Sequence, residues 1–440
     1  MSWGFETDPD DQAQLDWVEE FVRTEVEPLD FVIDHAYDLK DPVRQRLIPP
    51  LQQQVRERGL WACHLGPELG GPGYGQLKLA LLNEILGRTH CGPIVFGCQA
   101  PDSGNGEILA HYGDDRLKKQ YLEPLLAGEI VSCFSMTEPA GGSDPTSFTT
   151  RAVPDGDEWV ITGEKWFSSH ARFSEFLIVM AVTDPDASPH RRQSMFVVPA
   201  DAQGLITKRE VGVASHAGGE GTHAYLYYDD VRVPAANMLG SRGEGFAVAQ
   251  TRLGGGRIHH AMRTVGLVQR AFDMMCERAV SRASGGEPLA RKQLVQQMIA
   301  DSWIQLEQFR LLVLRTAWRI DKYNDYGKVR NDIAAVKAAM PKVLHDVASR
   351  ALQLHGSLGV STEMPFANWV LESFHMGIAD GATEVHTVNL AQGLLRGRTP
   401  SPDLFPTEHL LRRQDQARAR YGPQLADLNL PGTQSAVGTL

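Results

Sequence analysis

The chain has 440 residues, of which 42% are hydrophobic and 22% charged, a balance typical of a soluble protein with enough apolar residues for a sizeable core. Its 43 Lys and Arg residues against 54 Asp and Glu residues give a formal charge of −11, which argues against nonspecific binding to nucleic acid or to an anionic membrane. Five cysteines without a CxxC pair suggest neither a disulfide framework nor a zinc site, so we expect no bound metal and a reducing, cytoplasmic location.

The first 129 residues are predicted to form an all-helical domain. The segment Asp8-Pro9-Asp10-Asp11 offers a helix cap, a first-turn proline and acids at the positive end of the helix dipole. Pro28 is expected to interrupt or bend the helix that follows. Further helices are predicted at 44–58, 77–88 and 116–128. No apolar run approaches the length of a membrane span and the amino terminus is acidic, so we expect neither membrane insertion nor a signal peptide.

Residues 130–240 are predicted to form a small antiparallel β-domain. Short β-branched and aromatic segments alternate there with Pro, Asp and Gly. The predicted strands are 158–162, 176–183, 194–198 and 224–228. The Pro-Asp-Gly-Asp sequence at 154–157 predicts a hairpin turn before the first of them.

The pattern turns helical again in residues 241–400. Long periodic runs predict five helices, at 246–282, 293–323, 331–355, 365–375 and 384–395. Pro341 is expected to kink the third of these or to mark a shifted boundary. The polar residues 401–440 are treated as a tail, with a charged helix predicted at 408–421 and disorder at 431–440.

The stretch from Cys133 to Ser147 is the most informative segment for function. It contains a Thr-Glu-Pro turn, two adjacent glycines and a Ser-Asp pair, so backbone NH groups and hydroxyls can converge on a ligand. Composition alone does not distinguish such a loop from an ordinary turn. However, Met-Thr-Glu-Pro followed by Gly-Gly-Ser-Asp, at 136–144, resembles the flavin-loop signature of the acyl-CoA dehydrogenase family, and the resemblance extends over residues 8–398.

The resemblance implies an α+β fold in three parts: an N-terminal helical domain, a middle antiparallel β-domain and a C-terminal four-helix bundle. In that family FAD lies between the β-domain and the bundle, and subunits form a dimer or a dimer of dimers. The expected activity is FAD-dependent α,β-dehydrogenation of an acyl-CoA thioester to a trans-2-enoyl-CoA, with an electron transfer flavoprotein as the electron acceptor. The chain also resembles the subgroup whose animal members carry a fused kinase-like domain.

Five positions of the flavin loop match residues that line FAD in the family: Phe134, Met136, Thr137, Gly142 and Ser143. Hydrogen-bond donors near the threonine would stabilise the negative charge that collects on the reduced flavin. Ser143 would also contact the pantetheine of the acyl-CoA.

A second motif, Gly-Glu-Lys-Trp-Phe-Ser-Ser at 163–169, resembles a family strand that packs against the flavin. The resemblance implies that Phe167, Ser168 and Ser169 contact FAD, with Phe167 in place of the usual Trp. Either Trp166 or Phe167 is expected to cover the ring, because successive residues of a strand face opposite sides and only one can point inward.

A third motif, Arg-Leu-Gly-Gly-Gly-Arg at 252–257, ends in Arg257, which matches a family arginine near the thioester and the catalytic acid. A cation there would hold a nearby carboxylate ionised. Some family members carry their base at the preceding position, which is Gly256 here. His259 and His260 point apart on a helix, so only one could face the site, and core or interface positions are expected for both.

The base is assigned to Asp380, which falls where the family has a glutamate followed by glycine. The resemblance implies that Asp380 takes the α-proton while the β-hydride passes to flavin N5, with Gly381 contacting substrate. An acid before glycine can also be a simple helix cap. Ala382 and Glu384 replace a family Thr and Gln near the flavin. Burial beside the acyl chain is expected to raise the pKa of the carboxylate.

The remaining motifs are expected to contact the FAD of a partner subunit. Arg282, Gln353, Gly356 and Ser357 match residues that reach FAD across the dimer interface. Two other functions stay open at this point. One is an acyl-CoA oxidase or flavin monooxygenase of the same fold, and the other is a non-catalytic protein that binds acyl-CoA.

Overall fold

The structure is a computed structural model that describes residues 6–213 and 222–428, without the side chains of residues 253, 254 and 427. The chain divides into two units, Met1–Leu390 and Ala391–Leu440. The disorder predicted for 431–440 lies outside the described residues.

Helices occupy the N-terminal part of the first unit, as predicted. They are α1 (Pro9–Phe21), α2 (Pro42–Glu57), α3 (Gly75–Leu86), α4 (Gly92–Val95), α5 (Asp102–Tyr112), α6 (Asp115–Leu117) and α7 (Glu123–Ala127). Asp8 caps α1 by accepting a hydrogen bond from the Asp10 amide at 3.1 Å. Pro28 lies in a 3-10 turn that follows a π-helical turn at Val22–Val26, so the first helix ends by a change of helix type.

Eight strands form one sheet after these helices. They are β1 (Ser132–Ser135), β2 (Arg151–Asp155), β3 (Glu158–Ser169), β4 (Phe176–Val182), β5 (Gln193–Pro199), β6 (Leu205–Val211), β7 (His223–Pro234) and β8 (Met238–Leu239). Their order is β6-β7-β3-β1-β4-β5-β8, and β2 pairs with β3 and β4. The predicted hairpin turn joins β2 to β3, with Gly156 at φ +65°.

The sheet is mostly antiparallel, but two pairings differ from the prediction. β1 runs parallel to β4, with Ser132 opposite Phe176, and β2 meets β4 in parallel at Arg151 and Val182. The local sequence pattern reports that a segment is extended but not which strand it joins or in which direction. The edge strand β6 was also missed, because its exposed residues do not alternate between apolar and polar.

The carboxy-terminal helices of the first unit match the predicted runs closely. They are α8 (Gly245–Ser281), α9 (Gln293–Tyr323), α10 (Tyr326–His355), α11 (Phe366–Ile378) and α12 (Thr383–Leu395), of which α12 extends into the second unit. Helix α10 begins earlier than predicted, at an Asp325 cap, and continues through Pro341. Apolar residues of α8, α9 and α10 share one core with those of α1 to α4. This arrangement confirms the predicted α+β fold class.

The second unit contains the predicted charged helix as α13 (Leu410–Leu425), whose residues are largely exposed. None of the helices in the described ranges is both long and apolar enough to cross a lipid bilayer.

Candidate active site

Asp380 lies in the turn between α11 and α12. Its backbone is left-handed, with φ +55°, and Gly381 follows at φ +108°. A left-handed conformation is uncommon for a residue with a side chain and is retained where surrounding contacts fix it. The Asp380 carbonyl oxygen accepts hydrogen bonds from Arg257 Nε at 3.0 Å and from His386 Nε2 at 3.4 Å. These two side chains therefore hold the turn in place.

Gly381 is required by both conformation and space. A Cβ atom at this position would lie 2.8 Å from His386 Nε2, closer than side-chain atoms approach. We expect Gly381→Ala to displace the Asp380 turn and to lower kcat about tenfold or more, since a 1 Å misplacement of a reacting group costs on the order of 10²-fold. Gly59→Ala is the matched control, because Gly59 also has positive φ, +70°, but open space at its Cβ. Equal kcat values for Gly381→Ala and the wild type would contradict this prediction.

The Asp380 carboxylate faces Arg252 and His260 on α8. Arg252 Nη1 lies 3.8 Å from Oδ1, and His260 Nε2 lies 3.5 Å from Oδ2. Burial acts to raise the pKa of Asp380, but Arg252, His260, Arg257 and Lys337 outweigh it and hold the pKa below the ordinary value. The expected rise concerns the pKa of the carboxylate beside a bound acyl chain, so it stays a prediction for the substrate complex. An argument from Asp380 alone includes the burial of its carboxylate but not the charges of Arg252, Arg257 and Lys337.

The two neighbouring histidines of α8 are neutral at pH 7. Burial lowers the pKa of His260 to about 4 and that of His259 well below its usual range. At neutral pH the positive charge around Asp380 therefore comes from the arginines and Lys337. Both histidines line the same pocket, but His260 approaches the Asp380 carboxylate, whereas His259 Nε2 lies 3.2 Å from Gln76 Oε1.

A small pocket lies beside the carboxylate. It is lined by Ala100, Ser103, Gly104, Glu107, Arg252, Gly256, His259, His260 and Asp380. A Cβ atom on Gly256 would lie 3.3 Å from Asp380 Oδ2, so the glycine keeps the approach to the carboxylate clear. Glu107 is a second acid here, and burial raises its pKa to about 7 against the opposing charge of Arg252. No motif in the sequence marked Glu107 as a site residue.

Arg252 connects the carboxylate to the β-sheet. Its guanidinium carbon lies 4.2 Å from the centre of the Phe134 ring, within cation–π distance. Its Nε atom is buried and has no hydrogen-bond partner in the part of the chain that the structure describes. Arg252 is the first residue of the Arg-Leu-Gly-Gly-Gly-Arg motif, but the sequence analysis predicted that Arg257 would hold the carboxylate ionised.

The predicted flavin loop is anchored by a buried ion pair. Glu138 Oε1 accepts from Lys165 Nζ at 2.9 Å, and the other oxygen accepts from the amide and hydroxyl of Thr149. Burial acts to raise the pKa of Glu138, but Lys165 and the amides hold it below its usual value. Lys165 also donates to the Met136 carbonyl at 2.7 Å.

The two ends of this loop differ in exposure. Met136 and Thr137 are half-buried, and the Thr137 carbonyl accepts from the Trp166 amide at 2.9 Å, which joins the loop to β3. Gly142 and Ser143 are exposed, and a Cβ on Gly142 would meet nothing within 4 Å. The glycine end of the loop is therefore open to a ligand.

Strand β3 contains a bulge at Phe167. The register against β7 shifts between Lys165 and Ser168, and Phe167 has φ +56°. The rings of Trp166 and Phe167 lie 4.9 Å apart in an edge contact, so the expected assignment of one ring to each face was wrong. A bulge interrupts the alternation of strand faces. Phe167 remains 39% exposed.

The environment of Phe167 places it toward the helical bundle. Its ring centre lies 5.4 Å from that of His223, which in turn lies 6.0 Å from that of His375 on α11. Ser169 is on the same side and its hydroxyl lies 3.0 Å from His223 Nδ1. Ser168 is fully buried instead, with its hydroxyl 2.8 Å from that of Ser135, so the structure does not bring it to the open face.

The positions predicted to act across an interface are exposed and far from Asp380 along the helices. They are Arg282, Gln353, Gly356 and Ser357. Arg282 follows the end of α8, roughly 37 Å along the helix from Arg257 at 1.5 Å per residue. Nearer to the carboxylate, Ala382 is half-buried and Glu384 is exposed in the first turn of α12.

The described residues contain no group of three or more His, Cys, Asp or Glu side chains arranged to hold a metal ion.

Three consecutive stretches of the chain match sequence profiles of one family. Residues 8–129 match "Acyl-CoA dehydrogenase, N-terminal domain", residues 133–231 match the middle domain and residues 243–395 match the C-terminal domain.

Individual relatives agree with these profiles. The chain is 42% identical over 355 residues to probable acyl-CoA dehydrogenase FadE2 of Mycobacterium tuberculosis, covering 79% of this chain and 86% of that protein. It is 38% identical over 391 residues to acyl-CoA dehydrogenase family member 11 of Mus musculus, covering 87% of this chain but only 50% of the mouse protein. A solved structure of a Mycobacterium abscessus protein assigned as an acyl-CoA dehydrogenase superposes with a TM-score of 0.81 at 36% identity, covering 89% and 99% of the two chains.

Proposed function

Since this chain belongs to the acyl-CoA dehydrogenase family of oxidoreductases, we propose that it removes hydrogen from the α and β carbons of an acyl-CoA thioester with bound FAD. The observation that carries the proposal is the placement of Asp380. Its carboxylate borders a pocket and faces Arg252. The guanidinium of Arg252 in turn contacts the ring of Phe134, which directly precedes the turn of the flavin loop.

The residues on the open edge of the sheet fit a flavin. Phe167 presents an exposed ring on a bulged strand, beside the Ser169 hydroxyl. The loop around Gly142 has space that a side chain would otherwise fill, and Arg252 Nε is a buried donor that still lacks a partner among the described residues. We propose that Phe134, Met136, Thr137, Gly142, Ser143, Phe167 and Ser169 hold FAD, together with Ala382 and Glu384. Ser168 is left out, because its hydroxyl is buried.

The surroundings of Asp380 support its assignment as the base. The carboxylate is ionised at neutral pH and can accept the α-proton, and Gly256 leaves room for the α-carbon to approach it. Arg257 and His386 donate hydrogen bonds to the Asp380 carbonyl oxygen, which fixes the backbone from which the Asp380 side chain extends. We assign the backbone amide of Asp380 and Gly381 to the thioester, with Ser143 near the pantetheine. FAD, when bound, supplies the acceptor for the β-hydride.

The pKa of Asp380 predicts the pH dependence of this step. Because the pKa is held below its ordinary value near 3.8, the carboxylate stays ionised at every pH well above that value and is lost as a base only when the pH falls through its own pKa. We expect kcat/KM to show no acid limb between pH 7 and about pH 5. Stopped-flow measurement of flavin bleaching across this range checks the prediction. An acid limb near neutrality would show that the acyl chain raises the pKa after all.

We also propose that a second subunit completes the FAD site. Arg282, Gln353, Gly356 and Ser357 are exposed, and the helix positions of Arg282 and Gln353 put them roughly 20–40 Å along α8 and α10 from the residues that face Asp380. These positions would serve FAD only from a neighbouring copy. We expect Arg282→Gln to reduce the FAD content of the purified oligomer while leaving Tm of the apo form unchanged. An electron transfer flavoprotein is the proposed electron acceptor, on the basis of the family alone.

The test of the proposed function is anaerobic titration of the FAD-loaded protein with a panel of acyl-CoA thioesters that differ in chain length, branching and hydroxylation. Loss of the flavin absorption band, together with formation of a trans-2-enoyl-CoA, is the expected result. Rapid reoxidation in air with release of peroxide would identify an oxidase instead. A protein that binds acyl-CoA but shows no bleaching with any member of the panel would contradict the proposal.

A further inference from the structure

Lys337 occupies a core position of α10. The buried face of this helix repeats at Ile333, Val336, Met340 and Leu344, and Lys337 lies on it with only 1% of its surface exposed. The helical period calls for an apolar residue here. A buried ammonium is costly unless other groups compensate it. A charged residue that breaks the pattern of its own helix indicates a role other than packing.

The ammonium group binds the end of α11. Lys337 Nζ donates a hydrogen bond to the Met376 carbonyl oxygen, in the last turn before Asp380. One residue earlier, the His375 carbonyl accepts from the Ala379 amide at 2.9 Å. The last four carbonyls of a helix have no partner within the helix, and a cation also complements the negative end of its dipole. Lys337 thus satisfies a carbonyl four residues before the proposed base.

The charged and titratable groups around Lys337 come from four elements. They are Arg257 and His260 on α8, His375 on α11, Asp380 in the following turn, and His386 on α12. In this set Asp380 is the anion, and no carboxylate of the described residues lies within 4.0 Å of Nζ. Burial lowers the pKa of Lys337 to about 8 and the charge of Asp380 opposes that shift, so the group is mostly protonated at pH 7.

We propose that Lys337 is a positioning residue for the base. Through the Met376 carbonyl it fixes the turn that carries Asp380, and its positive charge adds to those of Arg252 and Arg257 around the carboxylate. The inference rests on the proposed function, because it takes Asp380 to be the group that removes the α-proton.

Three variants and one control separate these two effects. Lys337→Met removes the charge and the hydrogen bond at similar volume, and Lys337→Arg retains the charge. Lys342→Met on the same helix is the control, because that side chain is 73% exposed and pairs with Asp346. If Lys337→Met does not fold, Lys337→Gln removes the charge but keeps a donor for Met376.

The first measurement is the pH profile of kcat/KM in the FAD-loaded protein. In the wild type the acid limb is expected below about pH 5. For Lys337→Met we expect this limb to move up by about one pH unit, or roughly tenfold in rate below the limb, because a cation near a carboxylate lowers the carboxyl pKa. Lys337→Arg is expected to keep the limb of the wild type, and Lys342→Met to leave the profile unchanged. A Lys337→Met profile that coincides with the wild type would overturn the proposal.

The second measurement does not depend on activity. Hydrogen exchange of the Ala379 amide in the FAD-loaded protein is expected to be about tenfold faster in Lys337→Met than in the wild type and Lys342→Met, because the last turn of α11 loses a contact that holds it. Equal exchange rates would overturn the positioning role. If the wild type reacts with no acyl-CoA, the proposed function fails, while this exchange experiment still reports on Lys337.

Discussion

Asp380→Asn is expected to lower the rate of flavin bleaching by acyl-CoA by about 10²–10⁴-fold, the range over which a general base contributes. The substitution keeps the size of the side chain and its left-handed turn, which asparagine also tolerates. It removes the negative charge that accepts the proton. Stopped-flow absorbance under anaerobic conditions measures the loss, and acyl-CoA binding is measured separately by calorimetry.

Two further variants sharpen this experiment. Asp332→Asn is a matched control, because Asp332 is a shielded aspartate on α10 that pairs with Arg315 and Arg319. Glu107→Gln removes the other acid of the pocket, whose pKa is raised to about 7. If Asp380→Asn bleaches at the wild-type rate while Glu107→Gln does not, the base is Glu107 and the assignment of Asp380 is wrong.

Lys165→Met is expected to lower the free energy of unfolding by about 3–5 kcal/mol, the usual cost of leaving one member of a buried ion pair without its partner. Lys165 is fully buried, and Glu138 is nearly so. The lysine also donates to the Met136 carbonyl, so its loss frees the start of the proposed flavin loop. We therefore expect the variant to release FAD on dilution more readily than the wild type does.

Urea unfolding followed by tryptophan fluorescence measures the change in stability. The double variant Lys165→Met/Glu138→Gln is expected to recover part of the loss, because no buried carboxylate then remains unpaired. Arg232→Gln is the control, since Arg232 forms exposed ion pairs with Asp155 and Glu158 in the same sheet. A change for Lys165→Met no larger than that of Arg232→Gln would show that the buried pair contributes little.

The sequence by itself determined the long helices of this protein and the hairpin in its sheet. The apolar period of α9 predicted that helix at its observed bounds, and the Pro-Asp-Gly-Asp turn predicted the β2–β3 hairpin. Likewise, an acid followed by glycine at 380 and 381 matches a turn in which both residues have positive φ. Such features depend on the backbone conformations that a few neighbouring residues can adopt, so a short stretch of sequence is enough to predict them.

Only the tertiary structure decided the electrostatics of the site. The pKa of Asp380 is lowered and not raised, because Arg252, Arg257 and Lys337 approach it from helices that lie 40 or more residues away in the chain. The parallel pairing of β1 with β4, and the bulge that brings Trp166 and Phe167 into contact, likewise depend on distant partners. Periodicity reports which residues are buried, whereas a pKa or a strand direction depends on what they are buried against.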